Sequence, residues 1–117
     1  MPDMIHDLQV RGARRQSLFR EINARVAELD AGSLQTTKID FVCECWEEDC
    51  FVPVTLRRDD YLSVRAEPAQ FVVAPDHVDL LIETVVAKHP GYWIVEKIDA
   101  GRAVALALAP STSLDAA

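Results

Sequence analysis

The sequence predicts an α+β fold: a long N-terminal helix, a short second helix and a small, mainly antiparallel sheet with a zinc-knuckle-like cysteine loop. Three observations predict it. Apolar residues recur at helical spacing from Leu18 to Leu29. Short β-prone runs bounded by proline and glycine follow through the rest of the chain. Cys43, Cys45 and Cys50 lie in a turn between two of those runs.

Residues 1–12 carry no clear pattern and are expected as a flexible lead-in. A single domain is expected over 13–109, and the small, polar residues 110–117 are expected as a disordered tail. From Ala13 the pattern is helical. Leu18, Ile22, Val26 and Leu29 form a stripe with Phe19 beside it, expected to face the core, and Arg14, Arg15, Arg20, Glu21, Arg25 and Glu28 fill the other face. Gly32 suits the end of that helix. Ile39, Phe41 and Val42 read as a strand entering the cysteine segment. Phe51, Val52 and Val54 read as the strand leaving it. Thr55 is a good N-cap for a short helix over Leu56–Ala66, with Asp59 and Asp60 early in it, Tyr61 and Val64 on one face, and Pro68 beyond it. Phe71–Ala74 reads as a buried strand ended by Pro75, with Asp76 and His77 in the turn that follows. Asp79–Lys97 reads as a hairpin about His89-Pro90-Gly91, with a helix over Asp79–Lys88 as the alternative. Val104–Leu108 is expected to add an edge strand.

The chain has 117 residues, the size of one domain with a core of its own. Its net charge of -7 repels phosphate, which disfavours direct nucleic-acid binding. The one basic cluster, Arg11, Arg14, Arg15, Arg20 and Arg25, is matched in sequence by Asp3, Asp7, Glu21, Glu28 and Asp30. A nucleic-acid module through that helix is the weakest of the functional readings. No apolar run approaches the roughly 20 residues of a membrane span, and the polar N-terminus does not read as a signal peptide. Three cysteines, an odd number, fit a disulfide framework poorly. A cytoplasmic location is expected, where clustered thiols more often hold metal.

Zinc takes about four ligands in tetrahedral array. Cys43 and Cys45 are two apart, so on extended backbone both sulfurs point to one face. Cys50 can return from the turn to the same point. Of the three histidines, His77 follows a buried strand in a Pro-Asp-His turn and is the favoured fourth ligand. Glu44, Asp76 or water are the substitutes. Glu44, Glu47, Glu48 and Asp49 crowd the cysteines, and negative surroundings disfavour a thiolate unless a cation compensates. The loop therefore suits a divalent ion better than a nucleophile. Three cysteines make an electron-rich, weakly Lewis-acidic ion, and no His-Glu-x-x-His pair supplies a base, so a structural role is expected. No Gly-rich phosphate loop or Gly-x-Ser-x-Gly elbow is present. Trp46 either packs over the metal site or forms an exposed contact, and Trp93 reads as strand core.

The string Phe41-Val42-Cys43-Glu44-Cys45, then Cys50, Tyr61, Phe71-Val72-Val73-Ala74-Pro75, His77 and Tyr92 through Lys97, resembles a family of small uncharacterised bacterial proteins of actinobacterial type. The resemblance spans roughly Arg15 to Lys97. It implies a bacterial cytosolic origin and pairs His77 with the cysteines, and the family pattern has glycine where this chain has Asp76. It supplies no activity. The functional expectation is a zinc-bearing, non-enzymatic interaction or regulatory module, with a protein partner whose basic surface faces the Glu47–Asp49 loop. A thiol-redox or other small enzyme using the cysteines is the alternative.

Overall fold

The computed structural model describes residues 2–29, 37–47 and 49–109. Three helices and five strands follow in the order α1 (Pro2–Leu29), β1 (Lys38–Val42), β2 (Pro53–Arg57), α2 (Arg58–Arg65), β3 (Gln70–Val73), β4 (Glu83–His89), β5 (Tyr92–Lys97) and α3 (Asp99–Ala107). The strands make two antiparallel sheets, β1-β2 and β3-β5-β4. The architecture is the α+β fold that the sequence predicts. The hairpin reading of Asp79–Lys97 holds: β4 and β5 pair from Glu83↔Lys97 to His89↔Tyr92. Gly91 turns the chain at a φ of 87°, in the left-handed region that favours glycine.

Helix α1 differs from expectation in extent and in orientation. It begins at Pro2, so the expected lead-in is helix. Packing explains this: α3 lies against its first half, with the Gln9 side chain hydrogen-bonded to the backbone of Leu81 and Ala100. Gly101 permits the close approach, since a Cβ there would lie 3.1 Å from the Gln9 carbonyl oxygen. Of the Leu18–Leu29 stripe only Val26, with Phe19 beside it, turns inward; Leu18 is 53%, Ile22 42% and Leu29 79% exposed. The buried stripe is Gln9, Ala13, Gln16, Arg20, Asn23 and Ala27, spaced three and four apart along the same helix. Its polar members are partnered. Asn23 donates to the Val42 carbonyl at 2.7 Å and accepts from the Val42 N–H at 2.8 Å, and Gln16 donates to the Glu44 carbonyl at 2.9 Å. Arg20 donates to the Pro68 and Ala105 carbonyls. A polar face buried in this way is stable because its groups replace water with hydrogen bonds, the buried Arg20 Nε being the exception.

Two further elements depart from expectation. Thr55 lies in β2 and donates to Asp40 across the strand pair, so α2 starts later, after Arg57. The Val104–Leu108 segment is helix: the small Gly101 and Ala105 are buried, and alanine-rich sequence favours α3 over an edge strand. The expected tail at 110–117 lies outside the described residues. Between α1 and the strands sits a core of Phe41, Val54, Leu56, Tyr61, Phe71 and Val95, in which the Phe41 and Tyr61 rings stack at 4.3 Å. A second buried network joins α1 to β4 and β5. There the Lys97 ammonium meets Glu83 at 2.9 Å and also donates to Gln16, while Glu83 accepts from the Asp79 N–H. No helix among the described residues is long and apolar enough to cross a membrane.

Candidate metal centre

The site is built where three stretches of backbone converge. β1 runs out at Val42, but the pairing continues, because the Cys43 N–H donates to the Val52 carbonyl at 3.1 Å. The next N–H, of Glu44, donates instead to the Val72 carbonyl at 2.8 Å, which ties the cysteine segment to β3. A turn closed by Cys50 N–H to the Glu47 carbonyl brings Cys50 back beside the first two cysteines. On the far side, the His77 N–H donates to the Ala74 carbonyl at 3.0 Å. Pro75 occupies the second position of that turn and Asp76 the third, with a φ of 70°. This is the pattern of a type II turn, whose third position favours glycine.

These turns place the ligand atoms of Cys43, Cys45, Cys50 and His77 all within 4.8 Å of one another. The His77 Nδ1 lies 3.6 Å from the Cys43 sulfur and 3.4 Å from the Cys50 sulfur. The three cysteines are buried and free of disulfides. The four side chains could hold a metal ion, and they are the four that spacing brings forward. Of the substitutes, Glu44 points to the opposite side of the strand and Asp76 is not in the cluster. His6 is exposed on α1, and His89 stacks on Tyr92 at 4.7 Å.

The electrostatics follow from crowding three thiols. A hydrogen bond from Cys43, with further ones from His77 and the Glu47 backbone, lowers the Cys45 thiol to about 5. Cys43 moves the other way, because its thiol donates to Cys45 and is buried, and burial also raises Cys50. The cluster alone therefore carries one readily formed thiolate, and a second or third needs a cation to offset the repulsion. The backbone is arranged for such charge: the Ala74 N–H donates to the Cys43 sulfur at 3.1 Å, and the Val52 N–H favours the Cys50 thiolate.

Glu44, expected as an acid crowding the sulfurs or as a substitute ligand, is instead a core residue, 1% exposed. Alternation along the Cys-Glu-Cys segment turns it away from the sulfurs and into the core. Its carboxylate accepts from the Tyr61 hydroxyl at 2.6 Å, the Asn23 amide at 2.8 Å and the Val72 N–H at 2.9 Å. Burial pushes its pKa up from the usual carboxylate range, against the pull of these donors and of the Arg20 guanidinium. The signal was present in the sequence: an acid between two same-face cysteines must face the other way.

Beside the cluster lies an open cleft of about 400 Å³, lined in part by Trp46, Phe51, Val52, His77 and Val78, with Glu47 and Asp49 also on its wall. Phe51 is 74% exposed. No protein-family model, curated protein or solved structure matches the chain.

Proposed function

We propose that this chain is a small, non-enzymatic interaction or regulatory module whose cysteine loop is fastened by one structural zinc ion on Cys43, Cys45, Cys50 and His77. The observation that carries the reading is the pair of sulfur–nitrogen distances, 3.6 and 3.4 Å. A tetrahedral zinc with bonds of about 2.3 Å to sulfur and 2.0 Å to nitrogen separates those two donors by roughly 3.5 Å. Three thiolates and one imidazole fill such an ion, leaving no position for water and little Lewis acidity. The ion would join the β1–β2 turn to the turn after β3, two segments otherwise linked by few hydrogen bonds. A bacterial, cytoplasmic protein of the Phe-Val-Cys-Glu-Cys…Cys…Pro-x-His kind fits that site, since reduced thiols are what it requires.

The partner surface is the adjoining cleft. Exposed Phe51 and Val52 offer apolar contact, and Glu47, Asp49 and Asp76 give its rim a negative charge suited to a basic protein surface. Elemental analysis of purified protein is expected to give one zinc per chain, and Cys43→Ser and His77→Ala are each expected to lower that content sharply. Thiol alkylation is expected to be slow until a chelator is added. Fast alkylation of the as-purified protein at neutral pH, with no need for a chelator, would instead favour the thiol-redox reading.

A further inference from the structure

A second cleft, between the first half of α1 and the cysteine loop, takes no part in the metal centre. It measures about 440 Å³ and is lined by Leu8, Arg11, Arg14, Arg15 and Trp46. Helical geometry gathers the arginines, because residues three and four apart share a face. Arg11 and Arg14 are exposed and enter no ion pair among the described residues. The Arg15 guanidinium lies 4.8 Å from the Phe19 ring. Trp46 completes the cleft from the other side and is half-buried. It lies beside Gly12, where a Cβ would be in ordinary contact with the Trp46 Cβ at 3.8 Å.

No ion pair among the described residues offsets the Arg11 and Arg14 charges. The chain carries a net charge of -7, yet among the described residues no carboxylate lines this cleft. Neighbouring guanidinium groups repel one another, and the half-buried Trp46 indole lines the cleft beside them. A ligand that answers both features carries close to two negative charges and a flat ring. We infer that the cleft binds a nucleoside monophosphate, with the phosphate on Arg11 and Arg14 and the base against Trp46. A phosphate monoester carries about -1.5 to -2 at neutral pH, which matches two guanidinium groups, and their planar fork suits its oxygens. Bases of any kind stack on tryptophan, so the site discriminates weakly among them. The cleft's size and the repulsive field of the whole chain favour a single nucleotide over a strand of many phosphates.

The test uses the full-length protein as purified, at about 150 mM salt, a concentration at which exposed charges are screened beyond roughly 8 Å. Trp93→Phe leaves Trp46 as the sole indole, and its fluorescence is followed during titration with AMP, adenosine, inorganic phosphate and an oligo-adenylate. Calorimetry of AMP with the unsubstituted chain gives the same answer should Trp93→Phe disturb the fold. The expected result is saturable quenching by AMP with Kd below about 1 mM. Adenosine is expected to bind at least tenfold more weakly, and phosphate to compete without quenching. Arg11→Gln with Arg14→Gln is expected to weaken AMP tenfold or more while leaving the circular dichroism unchanged, since both side chains are exposed. No saturable signal by either method would overturn the inference, as would AMP binding indifferent to the arginine pair. Oligo-adenylate binding more tightly per strand than AMP would overturn it in favour of a nucleic-acid surface.

Discussion

Replacing Glu44 by glutamine tests the packing that supports the cysteine loop. Two of the three donors on this carboxylate cannot reverse. The Val72 N–H is fixed on Oε1, and the Asn23 amide is fixed on Oε2 because both its polar atoms are committed to Val42. A glutamine NH₂ placed at either position meets a donor. One buried donor left unsatisfied costs about 1–3 kcal/mol, and loss of charge-assisted bonds from Tyr61 and Asn23 adds to it. We expect a loss of about 2–3 kcal/mol, equivalent to a fall in Tm of about 10–15 °C for a domain of this size. Because Glu44 sits between two ligands, metal affinity is also expected to fall about 10- to 100-fold, as outer-shell changes typically do. Urea unfolding of the metal-loaded protein measures the first and a competition titration with a chelator the second. Glu47→Gln, on the exposed side of the same loop, is the control and should change stability by less than about 0.5 kcal/mol. A Glu44→Gln protein as stable as the parent would mean that the carboxyl is held neutral in the fold, and the reasoning would fail.

Further outcomes follow from the same structure. Asp76→Gly relieves a left-handed residue in a type II turn and is expected to stabilise by up to about 1 kcal/mol with metal content unchanged. Loss of metal in that variant would instead make Asp76 a ligand. Lys97→Met leaves the Glu83 carboxylate buried without its cation and should cost about 3–5 kcal/mol by denaturant unfolding. On α1, Ile22→Gln should cost less than about 0.5 kcal/mol, whereas Asn23→Ala should cost about 2 kcal/mol, because it strips both polar groups of Val42. Equal effects at the two positions would contradict the orientation of the helix.

The parts of the fold legible in the sequence are those where hydrophobicity and turn chemistry agree. Phe71–Ala74 is an apolar run closed by proline, and it forms the buried strand β3, fully covered on both sides. His89-Pro90-Gly91 announces the β4–β5 hairpin, and the cysteine spacing with a histidine after β3 announces the cluster of three cysteines and His77. The orientation of α1 was hidden because hydrophobic periodicity assumes that cores are apolar. Here glutamine, arginine and asparagine are buried against strand ends and loop carbonyls, and their partners cannot be read until the chain is folded. Val104, Leu106 and Leu108 alternate like a strand, yet Ala105 between them packs against Arg20, a contact 85 positions away in sequence.

The central claim is that three sulfurs and one imidazole nitrogen close around a single ion. X-ray absorption at the zinc edge of the purified protein tests it most directly. The account predicts a first shell of three sulfur atoms at about 2.3 Å and one nitrogen at about 2.0–2.1 Å, with the nitrogen lost in His77→Ala. A shell dominated by oxygen, or one unchanged when His77 is removed, would contradict it.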